Sequence, residues 1–120
     1  MIFYFDGQIF VRLDPGPGNG LNPGFYQQLS AGKITIIVAR EKKIEEKIVD
    51  LTLERRFISF NTYYALKDGS YYLIKKQKTL LTLLKDQKQN VLKHLKKEKL
   101  KYKREVEKTI VAMAEFYNHS

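Results

Sequence analysis

The stretch Tyr63-Tyr-Ala-Leu-Lys-Asp-Gly-Ser-Tyr-Tyr-Leu-Ile-Lys75 decides the fold class. Asp68-Gly69 tolerates positive φ and stands between two apolar, aromatic runs, the pattern of a two-residue β-hairpin turn. Such a turn fixes the register: Lys67 pairs with Ser70, Leu66 with Tyr71, Ala65 with Tyr72, Tyr64 with Leu73 and Tyr63 with Ile74. Successive side chains then alternate between faces. One face carries Ile58, Phe60, Tyr64, Leu66, Tyr71 and Leu73, the other Tyr63, Ala65, Tyr72 and Ile74. Both are apolar enough to need cover, which predicts a sheet that is curled or packed on two sides.

Toward the N-terminus the chain keeps to strands. Ile2–Phe5 and Gln8–Leu13 flank Asp6-Gly7, a second hairpin signal. The segment 14–24 holds all three prolines and four of the seven glycines and reads as loop. Its glycines do not fit a phosphate-binding loop. Residues 25–30 and 33–41 form a third hairpin around Ala31-Gly32, with Ile34, Ile36 and Val38 at the period of a strand. Ile44, Ile48 and Val49 in the charged run 41–50 fit a short helix and a strand extension alike. Residues 51–66 read as a long strand broken near Glu54-Arg55-Arg56.

Beyond Lys75 the apolar spacing becomes helical. Leu80, Leu81, Leu83 and Leu84 mark a short helix whose N-cap position, near Lys76, is a poor capping residue. Asp86-Gln87-Lys88-Gln89 matches a capping box, which predicts a second helix from Asp86 burying Val91, Leu92 and Leu95. A third helix is expected from about Lys103. There Val106, Ile110, Met113 and Tyr117 make one apolar stripe, Ala114 widens it, and Asn118 is a candidate C-cap.

Charge divides the chain at the same border. Residues 75–108 hold thirteen basic and four acidic residues, a net of +9, against +1 for residues 1–74 and −1 for 109–120. At 120 residues the expectation is a single domain, a β-rich body over 1–75 and a helical tail over 76–120. Its apolar content of 43% suffices for a core. The chain has no cysteine, which excludes disulfides, thiolate metal sites and cysteine nucleophiles. No run approaches the ~18 apolar residues of a membrane-spanning helix. Residues 1–6 lack the basic region and cleavage site of a signal peptide.

No catalytic constellation stands out. His94 and His119 are too few and too far apart for a metal centre, which needs three or four converging ligands. Glu45 and Glu46 are neighbours whose side chains diverge on either a helix or a strand. Asp6 and Asp68 are turn residues, and Ser30, Ser59, Ser70 and Ser120 sit in no nucleophile-elbow motif. No cofactor is implied. Tyr63, Tyr64, Tyr71 and Tyr72 suit base stacking in principle, but cross-strand aromatic packing accounts for them, and no RNA-binding string accompanies them. Lys93, Lys96, Lys97, Lys101 and Lys103 are the candidate contacts for an anionic partner, nucleic acid included. Their lysine-rich, arginine-poor character favours a solvated helix face over specific base reading.

The strings Gly24-Phe-Tyr-Gln-Gln-Leu-Ser-Ala-Gly-Lys33, Val38-Ala-Arg-Glu-Lys42 and the hairpin 63–75 resemble those of uncharacterised Bacteroidota-type extracytoplasmic proteins. So do Leu100-Lys-Tyr-Lys103 and Phe116-Tyr-Asn118. The resemblance, over about residues 3–118, implies a β-rich body with a helical tail and a periplasmic or outer-membrane-associated location. It also implies that this chain corresponds to the C-terminal part of a longer protein, and it supplies no catalytic residues.

The expectation is therefore an α+β fold: a curled antiparallel sheet of hairpins, then three short C-terminal helices. Its function is expected to be that of a non-catalytic binding or structural module acting through protein–protein contacts. A nucleic-acid-binding domain using the lysines of 75–108 is the alternative. Self-association through unpaired sheet edges is a further expectation.

Overall fold

A computed structural model describes residues 2–5, 7–13, 21 and 23–119. The chain forms a curled antiparallel sheet followed by three helices, an α+β fold. The strands are β1 (Ile2–Phe5), β2 (Gln8–Leu13), β3 (Gly24–Ser30), β4 (Thr35–Val49), β5 (Thr52–Lys67) and β6 (Ser70–Ile74). They lie in the sheet in chain order, a meander in which every connection joins neighbours. The helices are α1 (Gln77–Leu83), α2 (Lys88–Lys97) and α3 (Val106–Asn118), with a 3₁₀ turn at Lys85–Gln87.

The β5–β6 hairpin has the register that the Asp68-Gly69 turn dictates, from Lys67↔Ser70 to Tyr63↔Ile74. Asp68 and Gly69 both take positive φ, 52° and 78°, the primed turn that matches strand twist. The first hairpin also pairs as its sequence requires, Phe5 opposite Gln8. Of the loop over 14–24 only Leu21, Pro23 and Gly24 are described, and Gly24 already belongs to β3.

The helices cover one face of the sheet. Ile34, Ile36, Val38, Tyr63, Ala65 and Ile74 point into that layer and meet Leu80, Leu84, Val91, Leu95, Ile110, Met113, Ala114 and Tyr117. Most are fully buried, and each large aliphatic there contributes about 1.5–3 kcal/mol of burial. Among the described residues no helix covers the opposite face. Val11, Tyr26 and Ile37 form a second cluster there, edged by Leu13, Ala39, Tyr64 and Tyr71. Tyr26 and Tyr64 pack edge to face, centroids 6.0 Å apart at 86°. Both sheet faces thus bury apolar surface, one under helices and one through curl.

Several local expectations are corrected. The run 41–50, whose spacing fits helix and strand alike, is strand as far as Val49, because each residue there finds a cross-strand neighbour in β5, and Asp50 opens the turn. β5 runs without a break, and Glu54, Arg55 and Arg56 pair in register with Lys47, Glu46 and Glu45. The capping box does not form: the 3₁₀ turn precedes α2, whose N-cap is Gln87 without a side-chain cap. Asp86 instead accepts a hydrogen bond from Tyr117 Oη at 3.3 Å. The third helix starts at Val106, because Lys101–Glu105 is spent on turns closed by Arg104 N–H and Glu105 N–H donating to Lys101 O.

Asn118 locks tail to body. Its Oδ1 accepts from Ile34 N–H at 2.8 Å, and its Nδ2 donates to Ile34 O at 2.9 Å and to Ser30 Oγ at 3.3 Å. The amide thus supplies the donor and acceptor that a neighbouring strand would have given Ile34. Gly32 allows this approach: a Cβ there would lie 2.6 Å from Asn118 Cγ.

Candidate functional site

β4 and β5 outrun their neighbours. β3 pairs with β4 only up to Val38, and β6 meets β5 only from Tyr63. Residues 39–49 and 52–62 therefore pair only with each other among the described residues, forming a two-stranded arm whose outer edges are both free. On the side continuous with the helix-covered face stand Ile44 opposite Phe57 and Ile48 opposite Leu53. Ile44 is 60% exposed, and Ile48 and Phe57 are 74% exposed. The reverse side alternates charge and apolarity. Glu41, Lys43, Glu45 and Lys47 face Phe60, Ile58, Arg56 and Glu54. Arg56 meets Glu45 at 2.8 Å and Arg55 meets Glu46 at 3.2 Å, both exposed pairs of small value. Lys43 Nζ lies 5.2 Å from the Phe60 ring centroid. The tip is a two-residue turn, Asp50-Leu51, with φ of 50° and 62°. Leu51 is fully exposed in a conformation that favours glycine.

A polar cluster anchors the arm at its root. Arg40 Nε donates to Gln27 Oε1 at 2.6 Å, and its Nη2 reaches Glu107 Oε1 at 2.9 Å. Tyr63 Oη donates to the same oxygen at 3.1 Å. Glu107 lies in the first turn of α3, where the helix dipole favours a carboxylate. Burial, reinforced by the Glu107 charge, raises the Tyr63 pKa above its usual 10.0. These contacts tie β3, β4, β5 and α3 together where the arm leaves the body.

The lysines singled out from the sequence do not share one surface. Lys93 and Lys97 flank a shallow depression of about 280 Å³ with Asn90, His94 and Phe116. Lys96 and Lys101 join Lys99 and Arg104 around a wider groove of about 580 Å³ floored by Leu92, Leu95 and Leu100. Lys103 is exposed and lines neither groove. Lys99 holds a left-handed conformation, φ 57°, closing α2. Lys99 N–H donates to Lys96 O, and Leu100 N–H donates to Leu95 O.

The remaining candidate residues make contacts within the fold. His94 stacks on Phe116 at 4.8 Å. Ser30 Oγ donates to Glu115 Oε1 at 2.8 Å, so its partner is a carboxylate and not a histidine base. His119 lies 3.3 Å from the other Glu115 oxygen. Among the described residues no three His, Asp or Glu side chains converge on a metal-sized site. Tyr63 and Tyr64 point to opposite faces, as do Tyr71 and Tyr72, so the four tyrosines do not form a single stacking platform. Among the described residues no helix is long and apolar enough to cross a membrane. On the helix-free face a concavity of about 190 Å³ is lined mainly by Val11, Leu13, Ile37, Leu66 and Tyr71.

The fold and these surfaces define an α+β protein with a projecting two-stranded arm. No protein family, curated protein or solved structure matches the chain. Sequence reasoning missed the arm. The signal that could have found it is the apolar–charged pairing of 41–49 with 52–60, which becomes visible once the two runs are set antiparallel.

Proposed function

We propose that this chain is a non-catalytic protein-interaction module that works through the β4–β5 arm. The observation that carries the reading is the arm's lack of cover. A two-stranded ribbon is marginal in water, because three strands or a packed face are needed to hold one. Here Ile44, Ile48, Leu53 and Phe57 extend the apolar face past the last helix contact. Leu51 supports the same reading: neither packing nor backbone preference selects leucine at an exposed left-handed position. A partner that covers these side chains supplies the missing reason. The cell-envelope location is proposed from the sequence resemblance alone.

The test places a photo-crosslinking residue at Phe57, and separately at Lys97, in the organism that makes the protein. Discrete protein adducts from position 57 are expected. A second variant deletes residues 40–61 and joins Ala39 to Thr62, already opposite one another, through Asn-Gly. It should keep the body folded and lose the adduct partner. Adducts from Lys97 alone, or a partner that still binds the armless chain, would refute the reading.

The groove bearing Lys96, Lys99, Lys101 and Arg104 favours the alternative, an anionic partner such as single-stranded nucleic acid. Oligonucleotide binding that weakens steeply with salt and is lost on K96E/K101E would support it. Absence of binding at low salt would dismiss it.

A further inference from the structure

The geometry points to a second copy of this chain as the partner of the arm, its β4 pairing antiparallel with β4 of the first, centred on Ile44. This rests on the reading of the arm as an interaction element and specifies what it binds.

Among the described residues no strand pairs with the outer edge of β4 beyond Val38, so its backbone donors and acceptors can accept another strand. In a two-fold pairing about residue n, each residue n+k faces n−k of the other copy. The run Glu41-Lys-Lys-Ile-Glu-Glu-Lys47 is then decisive. Centred on Ile44, Glu41 faces Lys47, Lys42 faces Glu46 and Lys43 faces Glu45, and each pair occurs twice. Every charge in the run meets its opposite. Centres at 41, 42, 43, 45, 46 or 47 set a lysine or a glutamate against itself, which is unfavourable. Of the seven centres within the run, the charge order selects one.

The new strand also completes rows that the arm already holds in part. Arg56 and Arg55 lie opposite Glu45 and Glu46, and Glu54 lies opposite Lys47. Adding Lys43, Lys42 and Glu41 of the second copy extends each row with its sign still alternating. Between them runs an apolar row across four strands, Phe57–Ile44–Ile44–Phe57. The ribbon gains the extra strands that two strands lack. Long-range charge permits the approach. The body's surplus is concentrated at 75–108, whereas residues 40–61 hold six basic and five acidic side chains. Antiparallel arms carry the two basic bodies to opposite ends.

A seven-residue strand pair is a small interface, so a weak dimer is expected. Sedimentation velocity from about 1 to 500 µM at low salt should show the mass rising to twice that of the monomer. Salt at about 0.5 M should weaken the association. E41K, which sets lysine against Lys47 at both ends, should raise the dissociation constant about tenfold or more. Glu41 lies opposite Phe60 within the chain and makes no ion pair among the described residues, so the change disturbs none there. The triple variant E41K/K47E/E54K inverts the whole row and should restore dimerisation. The chain has no cysteine, which allows a test of register. I44C should oxidise to a linked dimer, whereas K42C and E46C, which face each other's positions and not their own, should not. A wild type that stays monomeric throughout, an E41K variant that dimerises equally, or equal cross-linking at 42, 44 and 46 overturns the pairing. If the chain is monomeric while position 57 cross-links another protein, the pairing falls and the arm's role stands. If both fail, the arm has neither role.

Discussion

Asn118→Ala should be among the most destabilising single changes outside the apolar core. The side chain makes three hydrogen bonds, two of them to the backbone of Ile34, which is fully buried. Truncation leaves the Ile34 N–H and C=O without a partner where water has little access, at about 1–3 kcal/mol for each group. Some relaxation of the 31–34 turn will offset part of this, so the expected loss is about 2–4 kcal/mol. That is a large share of the roughly 5–15 kcal/mol that holds a domain of this size together. Urea unfolding followed by far-ultraviolet circular dichroism gives the number, with the midpoint falling and the slope unchanged. Gly32→Ala probes the same contact from the other side. Its new Cβ would lie 2.6 Å from Asn118 Cγ, 2.8 Å from Oδ1 and 2.9 Å from Cβ. Asn118→Ala removes the first two atoms and leaves the third, so the cost of Gly32→Ala should fall in that background without vanishing. A double-mutant cycle should therefore show coupling of about 0.5 kcal/mol or more. A loss below about 0.5 kcal/mol for Asn118→Ala, or strict additivity of the pair, would refute the account of the tail as latched through this amide.

Thr109→Val should stabilise the protein by about 1 kcal/mol in the same assay, because the fully buried Thr109 Oγ1 has no hydrogen-bond partner among the described residues. Lys99→Gly should add about 0.5–1 kcal/mol by relieving the left-handed residue that closes α2, with the helix content unchanged by circular dichroism. The pKa values of Tyr63 and Tyr102 are both raised, in each case chiefly by burial. A phenol whose folded pKa exceeds its unfolded value contributes stability that is complete below about pH 10 and is lost as pH rises through the folded value. Stability should thus fall in strong alkali, Tyr63→Phe should lessen the fall, and absorbance at about 295 nm should show these two phenols ionising above the usual value for tyrosine.

The sequence legibly encoded those elements whose signal is local. Asp68-Gly69 dictated a turn and hence five cross-strand pairs, and the switch from period two to helical spacing near Lys75 placed the border between sheet and helices. Elements whose state depends on a distant neighbour were not legible. Residues 41–50 carry a pattern compatible with helix and strand, and only the approach of β5 makes them strand. Glu54-Arg55-Arg56 looked like a break because three charges in a row suit a loop, yet each meets an opposite charge in β4. The capping box at Asp86 was overridden because Tyr117 draws that carboxylate away. The five candidate lysines were near neighbours in sequence, but helix rotation and the turn after α2 send them to separate surfaces.

What the chain alone determined was the turn chemistry, the class of fold, the lysine-rich exterior of the tail and the charge order of Glu41–Lys47, all properties of neighbouring residues. Tertiary structure decided which sheet face receives the helices, that Asn118 closes onto Ile34, and that β4 and β5 outreach the strands beside them. The physical reason is one of scale. A turn or a helical stripe is fixed by residues a few positions apart, whereas a free edge exists only once every strand has taken its place.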